Sequence, residues 1–107
     1  MPVYNKLVRD GILDIIKANG KAFNSRILLP HEHLIEIKKK LYEEVKELEL
    51  AETKEDSIEE LADVLELLHS ALKSYNIDFE YLDSIRVKKK EERGGFDKGI
   101  YLIDVED

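Results

Sequence analysis

The residues of this chain best suited to chemistry are four carboxylates arranged as two matching pairs. Glu44 and Glu47 are three residues apart, and so are Glu60 and Asp63. Because residues three apart share one face of an α-helix, each pair can direct both side chains the same way. Carboxylate oxygens suit a hard divalent cation, and the chain lacks the Asp/Asn/Gly-rich loop typical of calcium sites. The spacing therefore predicts a Mg²⁺ site, with Mn²⁺ as the other candidate ion.

A turn between the two pairs must bring them together. Thr53 can cap the start of a new helix, and Asp56 follows it at the spacing of a capping box. The two pairs are placed symmetrically about this turn. An antiparallel hairpin therefore places Glu47 level with Glu60, and Glu44 level with Asp63. We expect the four carboxylates to meet across one pair of helices.

Ordinary solvated charge is the alternative explanation for acidic helices, since charged residues are mostly exposed. Two of the four carboxylates lie in less usual surroundings. On a helical wheel, Glu60 falls at the border of the apolar arc of its helix, and Glu44 borders the apolar stripe of the preceding helix. A carboxylate placed there has to be paired, metal-bound or protonated. Glu47 and Asp63 lie farther round, where exposure to solvent is easier.

Size and composition limit the classes of protein to consider. The mass of 12.4 kDa predicts one domain, residues 1–107, with a limited core. The net charge of −7 argues against binding to duplex nucleic acid, whose phosphates attract basic surfaces. The chain has no cysteine, no apolar signal core and no run of about 20 apolar residues. These features predict a cytoplasmic protein without a membrane-spanning segment.

Apolar periodicity and helix-ending residues predict an all-α fold, an antiparallel bundle of about four helices. We expect the helices at residues 10–20, 31–52, 54–75 and 78–93, followed by a short extended C-terminal arm at 96–107. Apolar side chains cover more than half of the third helix, which is more than one hairpin and two short helices can bury. The chain is therefore expected to form a homo-oligomer, a dimer or a tetramer.

Several charged residues near these helices are candidates for ligand contacts. Arg9 and Asp10, at the start of the first helix, can pair with neighbours or bind a ligand. The basic residues of the fourth helix can hold phosphates, or they can stabilise the helix C-terminus by their charge. Lys40 lies one turn before Glu44 and shares its side. His33 is interpreted as a surface residue.

Three sequence features together resemble one enzyme family. The first is Glu44-x-x-Glu47 followed, after twelve residues, by Glu60-x-x-Asp63. The others are Tyr-Asn-Lys-Leu-Val-Arg-Asp at residues 4–10 and Lys-Lys-Glu-Glu-Arg-Gly-Gly-Phe at residues 89–96. This combination resembles the MazG-like all-α nucleoside triphosphate pyrophosphohydrolases, a superfamily that includes phosphoribosyl-ATP pyrophosphohydrolase and the dimeric dUTPases. The two terminal motifs are similar to a small single-domain subgroup described as phosphoribosyl-ATP pyrophosphohydrolase-like.

The resemblance implies an activity and roles for individual residues. The activity is Mg²⁺-dependent cleavage between the α- and β-phosphates of a nucleoside triphosphate, which releases a monophosphate and pyrophosphate. The implied catalytic residues are four metal ligands, Glu44, Glu47, Glu60 and Asp63, and Glu43, which orients or deprotonates the attacking water. The resemblance also implies substrate contacts, from one subunit or from different subunits, by Asn5, Lys6, Arg9, Asp10, Lys89, Arg93 and Gly95.

Two hypotheses about function follow from these residues. The first is a nucleotide pyrophosphohydrolase that removes non-standard nucleotides from the pool. The second is a non-catalytic helical module that binds a nucleotide, a metal ion or a protein partner through the same surface. Formation of product, as opposed to saturable binding alone, distinguishes the two.

Overall fold

The computed structural model describes residues 2–107, and its regular structure consists of four α-helices. In chain order they are α1 (Ile12–Ala18), α2 (Pro30–Leu50), α3 (Lys54–Ser74) and α4 (Phe79–Arg93). No residue of the described part lies in a β-strand, so the predicted all-α class is confirmed.

The chain divides into two compact units. The first extends to Asn76 and contains α1, α2 and α3, and the second is Ile77–Asp107 with α4. These units are defined by contacts within the chain, and the prediction of one functional domain over residues 1–107 stays a prediction.

The helix ends follow from local side-chain hydrogen bonds. Thr53 is the N-cap of α3, and its hydroxyl accepts a hydrogen bond of 3.0 Å from the backbone N–H of Asp56. Asp78 caps α4 in the same way, accepting from the N–H of Tyr81 at 2.8 Å. Such caps satisfy backbone donors that a helix cannot pair internally. After α3, Asn76 takes a φ of 58°, a left-handed conformation that ends helices. The third and fourth helices match their predicted ranges to within one residue at each end.

The first two helices differ slightly from the predicted ranges. α1 begins at Ile12, two residues later than predicted, and Gly11 is its N-cap. α2 begins at Pro30, whose fixed φ suits the first helical position. It ends at Leu50 because Ala51 is already extended, with φ −65° and ψ 129°.

A side-chain network fixes the chain where it enters α2. Arg26 donates two hydrogen bonds to Glu32, of 3.2 and 2.8 Å, and the backbone N–H of Leu29 donates a third of 3.2 Å. The hydrogen bonds from Arg26 and then from Leu29 lower the pKa of Glu32 to about 2. The segment before α2 is thereby tied to the first turn of the helix.

α2 and α3 form a helical hairpin joined by residues 51–53. Since so short a connection reverses the chain, the two helices run in opposite directions, as predicted. Each helix contributes one fully packed apolar side chain, Ile37 at 0% exposure and Leu72 at 7%. Among residues 2–107 these are the two buried hydrophobic side chains, and they form the core of the hairpin.

A row of apolar side chains along α3 stays exposed to solvent. Its members lie three or four residues apart, so they form one continuous stripe on the helix. Between 40% and 53% of each residue is exposed. We call this row the α3 stripe, and it consists of Ile58, Leu61, Leu65 and Leu68.

The second unit consists of α4 and the C-terminal segment. α4 ends at Arg93, and its C-cap residue Gly94 has a φ of 83°, a conformation that favours glycine. Residues 100–107 form neither helix nor strand, so the predicted C-terminal arm contains no strand pairing within the described chain. Its apolar side chains are 72–89% exposed: Ile100, Tyr101, Leu102, Ile103 and Val105.

Within residues 2–107, no helix combines the length and the apolar character needed to cross a bilayer.

Candidate metal centre

Three of the four predicted metal ligands meet where α2 and α3 lie side by side. Glu44 from α2, and Glu60 and Asp63 from α3, each offer one carboxylate oxygen, and these three oxygens lie within 4.8 Å of one another. All three residues are partly buried. The spacing of Glu60 and Asp63 sets both side chains on one face of α3. We call these three residues the acidic cluster.

Glu60 is the member of the acidic cluster whose charge is least compensated. Its Oε2 atom is buried and has no hydrogen-bond partner among the described residues. A hydrogen bond to Glu44, which Glu60 donates only when it is protonated, is the largest cause that raises the pKa of Glu60 to about 7. Loss of hydration and repulsion by Glu44, Asp63 and Glu47 raise it further. Near neutral pH a large fraction of Glu60 is therefore protonated unless a cation joins the cluster.

Two lysines compensate the charges on the α2 side. Lys40 Nζ lies 3.7 Å from Glu44 Oε1 and 3.2 Å from Glu43 Oε1. Lys6 Nζ lies 3.3 Å from the same oxygen of Glu43. Loss of hydration opposes ionisation of Glu43, yet the hydrogen bonds from Lys40 and Lys6 lower its pKa overall. Glu43 is therefore ionised at neutral pH, and Lys40 links it to the cluster.

Asp63 is paired with a cation from the N-terminal segment. Arg9 Nη2 donates a hydrogen bond of 2.5 Å to Asp63 Oδ1. This bond is the largest cause that raises the pKa of Arg9, and the charges of Asp63, Glu66 and Glu44 contribute to the rise. Arg9 lies immediately before α1, in a turn where its carbonyl accepts a 3.0 Å hydrogen bond from the N–H of Ile12.

A cavity of about 730 Å³ adjoins the acidic cluster. Residues 6–12 form one of its walls, and side chains of α1, α2 and α3 form the others. Its volume lies in the range of about 300–1,000 Å³ that small-molecule sites occupy. Cations and carboxylates both line it: Lys6, Arg9, Asp10, Lys40, Glu44, Asp63 and Glu66. The cavity therefore offers cations to an anionic ligand and shares Glu44 and Asp63 with the acidic cluster.

The fourth predicted ligand, Glu47, lies outside the acidic cluster. Together with Glu59 and Glu60 it lines an open groove of about 360 Å³ near the turn of the hairpin. Its charge is one of those that raise the pKa of Glu60. The role of Glu47 as a metal ligand stays a prediction.

The predicted substrate contacts fall into two groups. Lys6, Arg9 and Asp10 line the cavity, and Asn5 precedes them with a left-handed φ of 46°. The others, Lys89, Arg93 and Gly95, belong to the second unit, at and just beyond the C-terminal end of α4. Contact of either group with a substrate stays a prediction.

Two further cavity residues were not singled out from the sequence. Glu66 and Ser70 follow Asp63 by three and seven residues, so the helical period places them on the same face of α3. This helical spacing is the sequence signal that could have identified Glu66 and Ser70 as site residues. His33, interpreted as a surface residue, is exposed and also lines the cavity.

Comparison with known proteins identifies no relative. No protein-family model, no curated protein and no solved structure matches the chain. The functional interpretation therefore depends on the side-chain geometry and on the resemblance stated above.

Proposed function

We propose that this chain is a metal-dependent phosphohydrolase. More particularly, we propose a MazG-like nucleoside triphosphate pyrophosphohydrolase that cleaves the α–β phosphate bond and removes non-standard nucleotides from the cytoplasmic pool. One observation carries the proposal. Three carboxylate oxygens from two helices lie within 4.8 Å of one another, beside a buried Glu60 oxygen without a hydrogen-bond partner among the described residues. Carboxylates this close repel one another unless a cation joins them.

The donor set of the acidic cluster fits Mg²⁺ or Mn²⁺. Both ions take carboxylate oxygens, and a cation would satisfy the orphaned oxygen of Glu60. Glu44, Glu60 and Asp63 would hold the ion, and Glu47, one helical turn from Glu44, is available to join them. When bound, such an ion neutralises phosphate oxygens and lowers the pKa of a water molecule.

The cations of the chain complete the proposed site. Lys6, Arg9 and Lys40 line the cavity beside the acidic cluster, where the oxygens of a triphosphate can accept their hydrogen bonds. Glu43 is ionised and held by Lys6 and Lys40, so it can accept a hydrogen bond from the attacking water and orient it.

A substrate screen tests the proposal. The purified protein is incubated with Mg²⁺ and a panel of standard and modified nucleoside triphosphates, and monophosphate and pyrophosphate are quantified by chromatography. We expect equal amounts of the two products from at least one nucleotide, and none after chelation of the metal. Saturable nucleotide binding by folded protein, without product across the panel, would instead support the non-catalytic module.

Isotope labelling tests which phosphorus is attacked. The reaction is run in water enriched in ¹⁸O, and the products are separated and weighed by mass spectrometry. Attack at the α-phosphorus, which we propose, places the label in the monophosphate. Label in the pyrophosphate alone would show attack at the β-phosphorus and would exclude the proposed chemistry.

We further propose that a second copy of the chain covers the α3 stripe. The stripe residues are 40–53% exposed and recur at the three- and four-residue spacing of packed helices. Two such stripes facing each other across a two-fold axis withdraw apolar surface from water. The exposure of the stripe supports the proposal of a homo-oligomer, which the sequence also predicts.

A further inference from the structure

We propose that Arg9 is an exchangeable counter-ion of the acidic cluster. Its guanidinium holds Asp63 while no divalent ion is bound, and it is released to bind an anionic substrate group when an ion takes its place. The inference rests on the proposed function and adds a coupling between the two ligands, in which the ion and the anionic substrate each strengthen the binding of the other.

Arg9 and a divalent ion compete for the carboxylate of Asp63. Arg9 Nη2 lies 2.5 Å from Asp63 Oδ1, and Asp63 is also one of the three residues whose oxygens converge within 4.8 Å. An ion bound to Asp63 and a guanidinium paired with Asp63 share the same negative charge. The two cations also repel each other at this separation. Occupancy by the ion therefore weakens the hold of Asp63 on Arg9.

The Arg9 side chain can leave Asp63 at low cost in free energy. The side chains of Arg9 and Asp63 are 59% and 34% exposed, and an exposed ion pair contributes little free energy. Lys40 differs, because its side chain is 19% exposed and two glutamates hold it. Arg9 also precedes α1 in a segment without regular structure, whereas Lys40 lies within α2. Of the two cations, Arg9 is the one that can move at low cost.

Once released, the Arg9 side chain can bind an anion in the cavity. Arg9 lines the cavity together with Lys6 and Lys40, and a guanidinium offers a fork of donors that matches phosphate oxygens. An anion in the cavity draws Arg9 from Asp63, which strengthens binding of the ion. By linkage, the ion strengthens binding of the anion by the same factor.

Metal titration without substrate tests the exchange directly. Binding of Mn²⁺ is measured by calorimetry for the wild type, Arg9→Gln, Arg9→Lys and Arg26→Gln. We expect Arg9→Gln to bind Mn²⁺ about two- to fivefold more tightly, because an exposed competitor of modest strength is gone. Arg9→Lys keeps the charge and should bind Mn²⁺ about as the wild type does.

Arg26→Gln is the matched control. The Arg26–Glu32 pair has similar exposure, 66% and 30%, and Glu32 lies about 18 Å along α2 from Glu44 at ~1.5 Å per residue. Loss of that pair should leave Mn²⁺ affinity unchanged. Circular dichroism and thermal melting verify that each variant is folded.

A second titration measures the anion. Imidodiphosphate, a hydrolysis-resistant pyrophosphate analogue, is titrated into protein at a fixed, saturating Mn²⁺ concentration. We expect Arg9→Gln to bind it more than about tenfold more weakly, because charge-assisted hydrogen bonds to phosphate are lost. The two effects of Arg9→Gln therefore have opposite signs, whereas a purely structural role would weaken both.

The outcomes separate this inference from the proposed function. Equal or weaker Mn²⁺ binding by Arg9→Gln, with a wild type that binds Mn²⁺, overturns the exchange and leaves the hydrolase proposal standing. Opposite shifts in a protein that hydrolyses no nucleotide support the exchange and remove the hydrolase proposal. A wild type that does not bind Mn²⁺ overturns both.

Discussion

Glu44 on α2 and Glu60 on α3 place carboxylate oxygens within 4.8 Å of each other, although sixteen residues and a reversal of the chain separate them. The hydrogen bond that protonated Glu60 donates to Glu44 is the largest cause that raises the pKa of Glu60 to about 7. A perturbed carboxyl beside a cavity is typical of functional sites. Removing or neutralising the Glu60 charge should therefore have effects that an ordinary surface glutamate does not show.

The first prediction concerns the pH dependence of stability in the metal-free protein. The folded-state pKa of Glu60, about 7, lies above its ordinary value of 4.5. Between these values the native state binds more protons than the unfolded state, so this group makes stability fall as pH rises. We expect Glu60→Gln to melt close to the wild type near pH 4.5 and progressively above it as pH approaches 7. Calorimetry in the presence of chelator measures the difference.

The control for that experiment is the preceding residue. Glu59 is exposed, so Glu59→Gln should follow the wild-type curve across the whole pH range. A constant offset between Glu60→Gln and the wild type would contradict the raised pKa.

The second prediction is proton release on metal binding. An ion that joins the acidic cluster favours the ionised form of Glu60, whose pKa is raised to about 7 in its absence. At pH 6.5 we expect Mg²⁺ binding to release most of one proton per site. The observed enthalpy in buffers of different ionisation enthalpy gives this number. Release should vanish in Glu60→Gln, and equal enthalpies for the wild type in all buffers would refute the prediction.

The third prediction concerns turnover. Glu60→Gln and Asp63→Asn keep the shape of the side chain and remove a charge from the acidic cluster. We expect either change to lower kcat/KM by more than about a hundredfold, since metal ligands and their partners have effects of this order or larger. Glu59→Gln should retain activity. Full activity in folded Asp63→Asn would remove that residue from the mechanism.

The fourth prediction concerns association through the α3 stripe. Leu65 is 47% exposed in the middle of the stripe, and a lysine there would bury a charge if two stripes faced each other. Sedimentation velocity at micromolar concentration should show a dimer or larger for the wild type and a monomer for Leu65→Lys. Glu55→Lys, in the exposed first turn of α3, should leave the assembly intact. A monomeric wild type would exclude the proposed interface.

The fifth prediction concerns the hairpin core. Ile37 is 0% exposed, and Ile37→Ala should lower the free energy of unfolding by about 2–5 kcal/mol through lost packing and a residual cavity. Ile35 on the same helix is 50% exposed, so Ile35→Ala should cost much less. Urea denaturation at one protein concentration compares the two variants. Equal losses would mean that Ile35 is buried in an assembly.

Local sequence signals determined where the last three helices begin or end. Thr53 and Asp78 accept hydrogen bonds from the backbone three residues on, Pro30 begins α2, and Asn76 and Gly94 end helices in conformations with positive φ. Each signal acts within one helical turn, so it can be recognised from neighbouring residues in the sequence. The same short range explains why Glu60 and Asp63 share a face.

The tertiary structure alone decided which of the predicted ligands converge. The symmetric spacing about the turn predicts that Glu44 and Glu47 both reach the metal site. In the structure, α2 and α3 pack so that Glu44 joins the acidic cluster and Glu47 lines the neighbouring groove. Arg9 and Asp63 are 54 residues apart in the chain, and no local sequence pattern predicts their contact. The sequence by itself determined helices and faces, because these depend on spacing along the chain. The packing angle of the hairpin and the path of the N-terminal segment determined the site, because these depend on contacts between distant residues.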